Sequence, residues 1–157
     1  MNEHKSITTI ETLVTDWLGR FNAAITSRAA ASSDAVAGLA DLFHDDSYWR
    51  DALALSWHLK TVTGAASILD LLPSVAAKSG LGPLTLDLNA TAPRLVNRAG
   101  TETVEAFFTF NTDHAHCRGI LRLCPDSQNP DHYRAWTFFT AIDALIGFEE
   151  KTDRNRP

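Results

Sequence analysis

The sequence predicts an α+β domain in which a curved antiparallel sheet wraps around N-terminal helices. Three observations indicate this class: apolar residues recur at helical spacing over residues 10–43, a second helical stretch follows Gly64, and strand-like runs occupy most of residues 84–141. Segregated helices and strands of this kind are typical of α+β folds. Such a half-barrel encloses a cone, and cones of this type often hold one apolar ligand.

The chain has 157 residues, which is enough for one domain and too few for two. We expect that domain to span residues 1–148, with a charged tail at 149–157. The net charge of −5 argues against a nucleic-acid or anionic-membrane surface, because both require clustered Lys and Arg. The apolar runs are too short to cross a bilayer, and the N-terminus lacks the apolar core of a signal peptide. These features predict an intracellular, cytoplasmic protein.

The only two cysteines, Cys117 and Cys124, lie in one predicted strand. Seven extended residues span about 23 Å, whereas a disulfide requires Cα atoms within about 7 Å. We therefore expect two buried, reduced thiols.

Two amphipathic helices are predicted before residue 44. Thr8 and Glu11 have the spacing of a capping box, which predicts a helix start at Thr8. The first helix buries one face, formed by Ile10, Leu13, Val14, Trp17, Leu18, Phe21 and Ile25. A small-residue connector over residues 29–33 follows, with Ser32 or Ser33 as a cap. The apolar stripe of the second helix consists of Val36, Leu39, Ala40 and Phe43.

Residues 46–61 concentrate two tryptophans, an Arg-Asp pair and a histidine. Leu53, Leu55, Trp57 and Leu59 alternate with small or polar residues, a period of two that predicts a strand. A bend or hairpin between Asp51 and Trp57 would change which face is buried.

The remaining elements are predicted to be one helix and several strands. The helix begins near Gly64, kinks or restarts at Pro73, and ends at Gly80, a residue suited to a left-handed cap. Strands are predicted at residues 84–88, 104–110, 114–124 and 133–141, with an edge segment at 94–98 before an Ala99-Gly100 turn.

The pattern resembles the nuclear transport factor 2-like superfamily, which includes ketosteroid isomerase and the SnoaL-like polyketide cyclases. The resemblance lies in the first helix, Leu42-Phe43-His44-Asp45-Asp46, the Trp49-Arg50-Asp51 strand and the Gly64-Ala65-Ala66-Ser67-Ile68 helix start. It implies a cone-shaped, cystatin-like half-barrel and a homodimer formed through the open sheet face.

A closer resemblance is to the N-terminal domain found ahead of some flavin-dependent monooxygenases. It involves Tyr48-Trp49-Arg50-Asp51, Leu55-Ser56-Trp57, Lys60-Thr61, Gly64 and the strand at 136–141. No strand–Gly-x-Gly-x-x-Gly–helix unit is present, so this chain is not itself the flavin enzyme and no cofactor is expected.

Asp51, His58 and His116 are the candidate catalytic residues. The resemblance to ketosteroid isomerase implies that Asp51 is a general base facing the cone, where desolvation would favour proton transfer. The alternative for Asp51 is an ion pair with Arg50 or a turn cap at the rim, and the alternative for His58 is an exposed strand histidine. His116 with Arg118 would polarise a substrate carbonyl at the mouth of the pocket.

His114 and His116 also have a spacing that some metal sites use, with Asp113 or Glu105 as a possible third ligand. An ordinary polar strand face is the simpler interpretation, and we predict no metal. Aromatic residues at strand spacing are either pocket walls or plain core. With Arg118, the candidate substrate-binding residues are Trp49, Trp57, Phe108, Phe110, Trp136 and Phe138.

Two functions are consistent with the sequence. The leading hypothesis is a cofactor-independent isomerase, cyclase or dehydratase of secondary metabolism that acts on a small hydrophobic cyclic molecule. The alternative is a non-catalytic ligand-binding or dimerisation module that works with a flavin-dependent monooxygenase. A cone filled by its own side chains would favour the alternative.

Overall fold

The computed structural model describes residues 2–26 and 33–151, with side chains over residues 9–25 and 36–151. The helices are α1 (Asn2–Thr26), α2 (Ser33–Ala40) and α3 (Ala65–Ser79). The strands are β1 (Phe43–Ala52), β2 (Leu59–Thr63), β3 (Thr85–Leu86), β4 (Arg94–Arg98), β5 (Thr101–Asn111), β6 (Ala115–Pro125) and β7 (Tyr133–Leu145). None of the helices in these ranges is long and apolar enough to cross a membrane.

The strands form one sheet in the order β2-β1-β7-β6-β5-β3, and β4 also pairs with β5. Long hairpins join β5 to β6 and β6 to β7. The predicted α+β class is confirmed. One detail of the predicted sheet is wrong: β1 runs parallel to β7, because β7 returns beside the first strand after the two hairpins.

The two faces of the sheet differ in what covers them. The inner face, which packs against the helices, carries alternate residues of each long strand, such as Val104, Ala106 and Phe108 on β5. The opposite, outer face carries the intervening residues, such as Glu105 and Phe107. The helices lie against the inner face, so the hydrophobic core lies between them and the sheet.

Several of the predicted boundaries are wrong. The first helix begins at Asn2, so Thr8 lies within it instead of capping it. The alternating leucines after Asp51 do not form a strand, because residues 53–58 make the connection of a β1–β2 hairpin. Leu53 and Trp57 have positive φ angles of 63° and 59°, which reverse the chain direction. The predicted connector over residues 29–33 lies outside the described residues except for Ser33, where α2 begins.

Other predictions concern α3 and the later strands. The helix continues through Pro73 with no restart, and Gly80 ends it in the left-handed conformation, as predicted. The predicted strand at 84–88 shortens to Thr85–Leu86, and Leu88 is exposed. The edge strand at 94–98 and the turn at Ala99-Gly100 are confirmed. Cys117 and Cys124 are free and buried, as predicted.

Candidate functional site

The Asp51 carboxylate lies at the end of β1 on the inner face, opposite Thr140 of β7. Only 1% of Asp51 is exposed. Four donors occupy its oxygens: the backbone N–H of Leu55 (3.2 Å to each oxygen), the N–H of Ser56 (2.8 Å), the Ser56 hydroxyl (2.6 Å) and the Thr140 hydroxyl (2.7 Å). Within the described residues Asp51 forms no ion pair, so neutral donors hold it.

The same network extends to Trp49, whose indole N–H donates to the Thr140 hydroxyl at 3.0 Å. The Thr140 hydroxyl thus accepts a hydrogen bond from Trp49 and donates one to Asp51, the next inner-face residue of β1. On the other side, Asp51 binds the two amides at the turn of the hairpin connection. The network therefore explains why Trp, Asp and Ser occur together in this stretch: they lock the hairpin shape.

The interior of the cone around this network is filled by aromatic side chains. Trp17 stacks on Phe21 with ring centroids 5.4 Å apart, and Phe108 stacks on Phe138 at 5.5 Å. Members of this aromatic cluster are 0–1% exposed: Trp17, Phe21, Phe43, Phe108 and Phe138. The backbone of β6 at Gly119 also lies close to the Phe108 ring, so a Cβ at this position would be 2.1 Å from that ring.

The structure brings few of the predicted site residues together. Trp49, Phe108, Phe110 and Phe138 are all buried in the core. Trp136 is half-buried beside an irregularity in the β6–β7 pairing. Trp57 and His58 lie in the hairpin connection on the surface, and 47% of Trp57 is exposed.

His116 and Arg118 lie on the outer face, away from Asp51. His116 contacts Asn111 and Glu149, and Arg118 pairs with Asp143. The three candidate catalytic residues therefore do not converge on one reacting centre. His114 precedes β6 in a bend, so the two imidazoles do not share a strand face. In residues 2–26 and 33–151, no group of three or more His, Cys, Asp and Glu side chains could hold a metal ion.

The outer face contains a feature that the sequence analysis missed, a buried glutamate held by three arginines. Glu105 is 2% exposed and accepts from Arg94 (3.1 Å), Arg98 (2.9 Å) and Arg122 (2.8 Å). Burial alone raises the pKa of Glu105, but the hydrogen bonds from the three guanidinium groups outweigh it and lower the pKa to about 2. The signal in the sequence is an acid between Val104 and Ala106, in the apolar part of a strand, with arginines four residues apart on the preceding strand.

The buried thiols contribute no reactive group. Burial, with a smaller effect of the nearby Asp51 charge, raises the pKa of Cys117 to about 11. Burial and the charge of Asp46 also raise the pKa of Cys124. Both side chains are therefore protonated at neutral pH and behave as small apolar residues.

The surface grooves lined by described residues include the following three, and Asp51 lines none of these three. The largest of the three, of about 590 Å³, is polar and lies between the start of β1 and the β6–β7 connection. The second, about 320 Å³, lies between the hairpin connection and α3 and includes Trp57 and His58. The third, about 210 Å³, lies between α1 and the residues at the start of β7.

Comparisons with known proteins identify the fold. A nuclear transport factor 2-like superfamily protein from Salmonella enterica serovar Typhimurium aligns with a TM-score of 0.55 at 13% identity, covering 96% of this chain and 98% of that one. ActVI-ORFA from Streptomyces coelicolor aligns with a TM-score of 0.53 at 14% identity, covering 84% and 96%. Nuclear transport factor 2 from Cryptosporidium parvum aligns with a TM-score of 0.51 at 12% identity, covering 85% and 91%. The sequence matches no protein-family model and no curated protein.

These similarities confirm the predicted nuclear transport factor 2-like fold. At such low identity they show the fold and not the activity. The closer resemblance to domains of flavin-dependent monooxygenases has no counterpart in the comparisons and stays a prediction.

Proposed function

We propose that this domain is a non-catalytic association module, which docks through the outer face of its sheet on an acidic surface of a flavin-dependent monooxygenase. The observation that carries the proposal is the filled cone. Aromatic side chains are buried in the interior, Asp51 is itself buried, and none of the three grooves described above reaches it. The outer face is the large sheet surface that no described element covers.

The state of Asp51 argues against the acid–base hypothesis. A general base must lie within hydrogen-bond reach of the proton that it removes. Asp51 is buried, and N–H and O–H groups of Leu55, Ser56 and Thr140 already occupy its oxygens. A substrate would have to displace the donors that hold the hairpin together.

The centre of the outer face has the composition of a protein interface. Phe107, Ile120 and Phe139 occupy neighbouring positions across β5, β6 and β7 and are half-buried, although no described helix packs on them. Tyr48 of β1 lies on the same face and is 43% exposed. Aromatic residues and arginine are enriched in interface cores, where they contribute much of the binding energy.

Arginines surround this apolar centre and determine the chemistry of the partner. The outer face carries Arg50, Arg94, Arg98, Arg118 and Arg122. Fewer carboxylates lie on this face: Asp46, Glu105, Asp143 and Glu149. Arg50 forms no ion pair within the described residues. An acidic partner surface would complement this face, whereas a second copy would bring arginine against arginine.

The resemblance to domains that precede flavin-dependent monooxygenases supports that class of partner. The residues that carry the resemblance, including Trp49, Asp51 and Ser56, form the network that shapes the hairpin. The hairpin is continuous with β1, which also carries Tyr48 and Arg50. If this chain and those domains have the same hairpin, they also have the same support for one edge of the docking face.

Sedimentation velocity and calorimetry would test the proposal, using this chain and the purified flavin monooxygenase encoded nearest to its gene. We expect a 1:1 complex whose Kd rises at least about tenfold between 50 and 300 mM NaCl, because salt screens the arginine contacts. Arg50→Glu and Tyr48→Ala should each weaken the complex. Lys78→Glu, the same charge reversal on the helix side, should not.

Two results would contradict this assignment. A dimer of the chain alone that Arg50→Glu dissociates would make a second copy the occupant of the face, as the homodimer prediction states. Turnover of a cyclic ketone that Asp51→Asn abolishes, in protein that remains folded by circular dichroism, would restore the acid–base enzyme.

A further inference from the structure

We infer that the groove between α3 and the hairpin connection is a binding site for a small aromatic carboxylate. Its volume of about 320 Å³ lies at the lower end of the roughly 300–1,000 Å³ typical of small-molecule sites. The lining residues are Leu55, Ser56, Trp57, His58, Lys60, Leu71, Val75, Lys78 and Ser79. The inference is independent of the proposed association, because the groove lies on the helix side of the sheet.

The groove lies outside the packed core. Ile68, Leu72 and Ala76 form the face of α3 that is buried against the sheet. Leu71 and Val75 lie beside that face and are half-buried, so they provide an apolar wall that solvent can reach. This wall suits the hydrocarbon part of a ligand.

Trp57 adds an aromatic surface to the same groove. Its indole is 47% exposed although it is a large apolar group, and its φ angle is 59°. A bulky residue in the left-handed region costs on the order of 1 kcal/mol or more, and such strain concentrates at ligand sites. Within the described residues Trp57 makes no contact with another aromatic ring, so its face is available for stacking.

Two lysines determine the charge of the ligand. Lys60 of β2 and Lys78 in the last turn of α3 lie on different elements and both line the groove. Neither forms an ion pair or a side-chain hydrogen bond in the described part of the chain. In a chain of net charge −5, two unpaired cations beside an apolar wall favour an anionic ligand.

Carboxylates near the groove do not neutralise these lysines. Asp51 lies beneath Ser56, buried and occupied by its own donors. Asp113 packs beside Gly80 at the end of α3, and Asp70 is exposed next to Leu71. None of these three lines the groove.

The two serine hydroxyls of the groove are already engaged. The Ser56 hydroxyl donates to Asp51, and the Ser79 hydroxyl donates to the Ala76 carbonyl at 3.2 Å. The ammonium groups of Lys60 and Lys78 are therefore the charged donors left for the ligand, beside the side-chain N–H groups of Trp57 and His58. An apolar aromatic body with one carboxylate matches both the wall and these donors.

Titration of the full chain with 2-naphthoate, followed by ¹H–¹⁵N NMR, would test the site. Shifts should concentrate on residues 55–60 and 71–79 and include the Trp57 indole N–H. The uncharged analogue 2-naphthamide should bind at least about fivefold more weakly, since it loses the contacts to exposed ammonium groups. Lys60→Gln or Lys78→Gln should raise the Kd about fivefold each, and the double variant about tenfold or more.

Lys151→Gln is the matched control, because it removes the same charge outside the groove and should leave the Kd unchanged. Trp57→Leu keeps an apolar side chain at this position and should weaken binding of 2-naphthoate by removing the aromatic surface. Equal affinity for naphthoate and naphthamide would overturn the inference. So would shifts that map to the aromatic cluster of the cone, or a Kd that the lysine variants do not change.

Discussion

The two faces of the sheet each bury one carboxylate, and they hold it in opposite ways. On the inner face, Asp51 accepts from two backbone amides and two hydroxyls and forms no ion pair within the described residues. On the outer face, Glu105 accepts from three guanidinium groups whose other sides remain in solvent.

The two carboxylates therefore have different roles: Asp51 stabilises a local turn, and Glu105 links strands that are distant in sequence. Three of the four donors to Asp51 come from Leu55 and Ser56, so the carboxylate shapes the hairpin that follows it. The arginines around Glu105 come from β4 and β6, so that carboxylate ties three strands together. Salt barely screens the interaction of Asp51 with the buried dipoles around it, whereas it screens the interaction of Glu105 with its half-exposed arginines.

The largest effect should follow removal of the inner carboxylate. Asp51→Ala leaves the buried Leu55 amide, the partly buried Ser56 amide and the Thr140 hydroxyl without their acceptor, and each unsatisfied donor away from water is costly. We expect a loss of about 3–4 kcal/mol in the free energy of unfolding, measured by urea denaturation. The exposed Asp70→Ala is the control and should change stability by less than about 0.5 kcal/mol. A comparable, small loss for both variants would mean that the network is not stabilising.

The outer carboxylate should have a smaller effect, which depends on salt. Glu105→Gln removes the charge that holds three arginines, and we expect a loss of about 2 kcal/mol at pH 7 after allowing for solvent around their exposed ends. In 1 M NaCl the difference between Glu105→Gln and wild type should shrink. The loss caused by Asp51→Ala should not shrink, and a parallel decrease in both would contradict the comparison.

The contribution of Glu105 should also depend on pH. Its pKa in the folded state, about 2, is lower than the value of about 4.3 expected in the unfolded chain. The stabilisation is therefore fully present above about pH 5 and is lost as the pH falls towards 2. Urea denaturation of wild type and Glu105→Gln between pH 2 and 7 should show two curves that converge at low pH. A constant gap would show that the charge of Glu105 is not the stabilising feature.

The smallest effect should come from one hydroxyl of the inner network. Ser56→Ala removes the 2.6 Å bond to Asp51 but leaves the Ser56 amide in place. We expect a loss of about 1 kcal/mol, together with faster hydrogen exchange of the amides at 55 and 56. Ser74→Ala, which removes an exposed hydroxyl on α3, should leave the exchange of the hairpin unchanged. If hydrogen exchange of the amides at 55 and 56 is unchanged in Ser56→Ala, the bonds from the backbone amides to Asp51 are sufficient to hold the hairpin.

Local chemistry was enough to predict several parts of this fold. The apolar spacing from Ile10 to Ile25 predicted the buried face of α1, and Gly80 marked the end of α3 because a left-handed cap favours glycine. Local chemistry was misleading after Asp51, where Leu53, Leu55 and Trp57 alternate as in a strand. Hydrogen bonds from residues 55 and 56 to Asp51 outweigh that pattern and turn the chain.

The sequence by itself determined the α+β class, the helix faces, the free thiols and the importance of the Trp49–Asp51 segment, because these depend on neighbours in the chain. Tertiary structure alone decided that the aromatic residues fill the cone, that Asp51, His58 and His116 lie apart, and that Glu105 meets its three arginines. Those outcomes depend on strand register and on which face each strand presents. Register joins residues far apart in sequence, so the pattern of one strand alone does not show which residues of another strand lie opposite it.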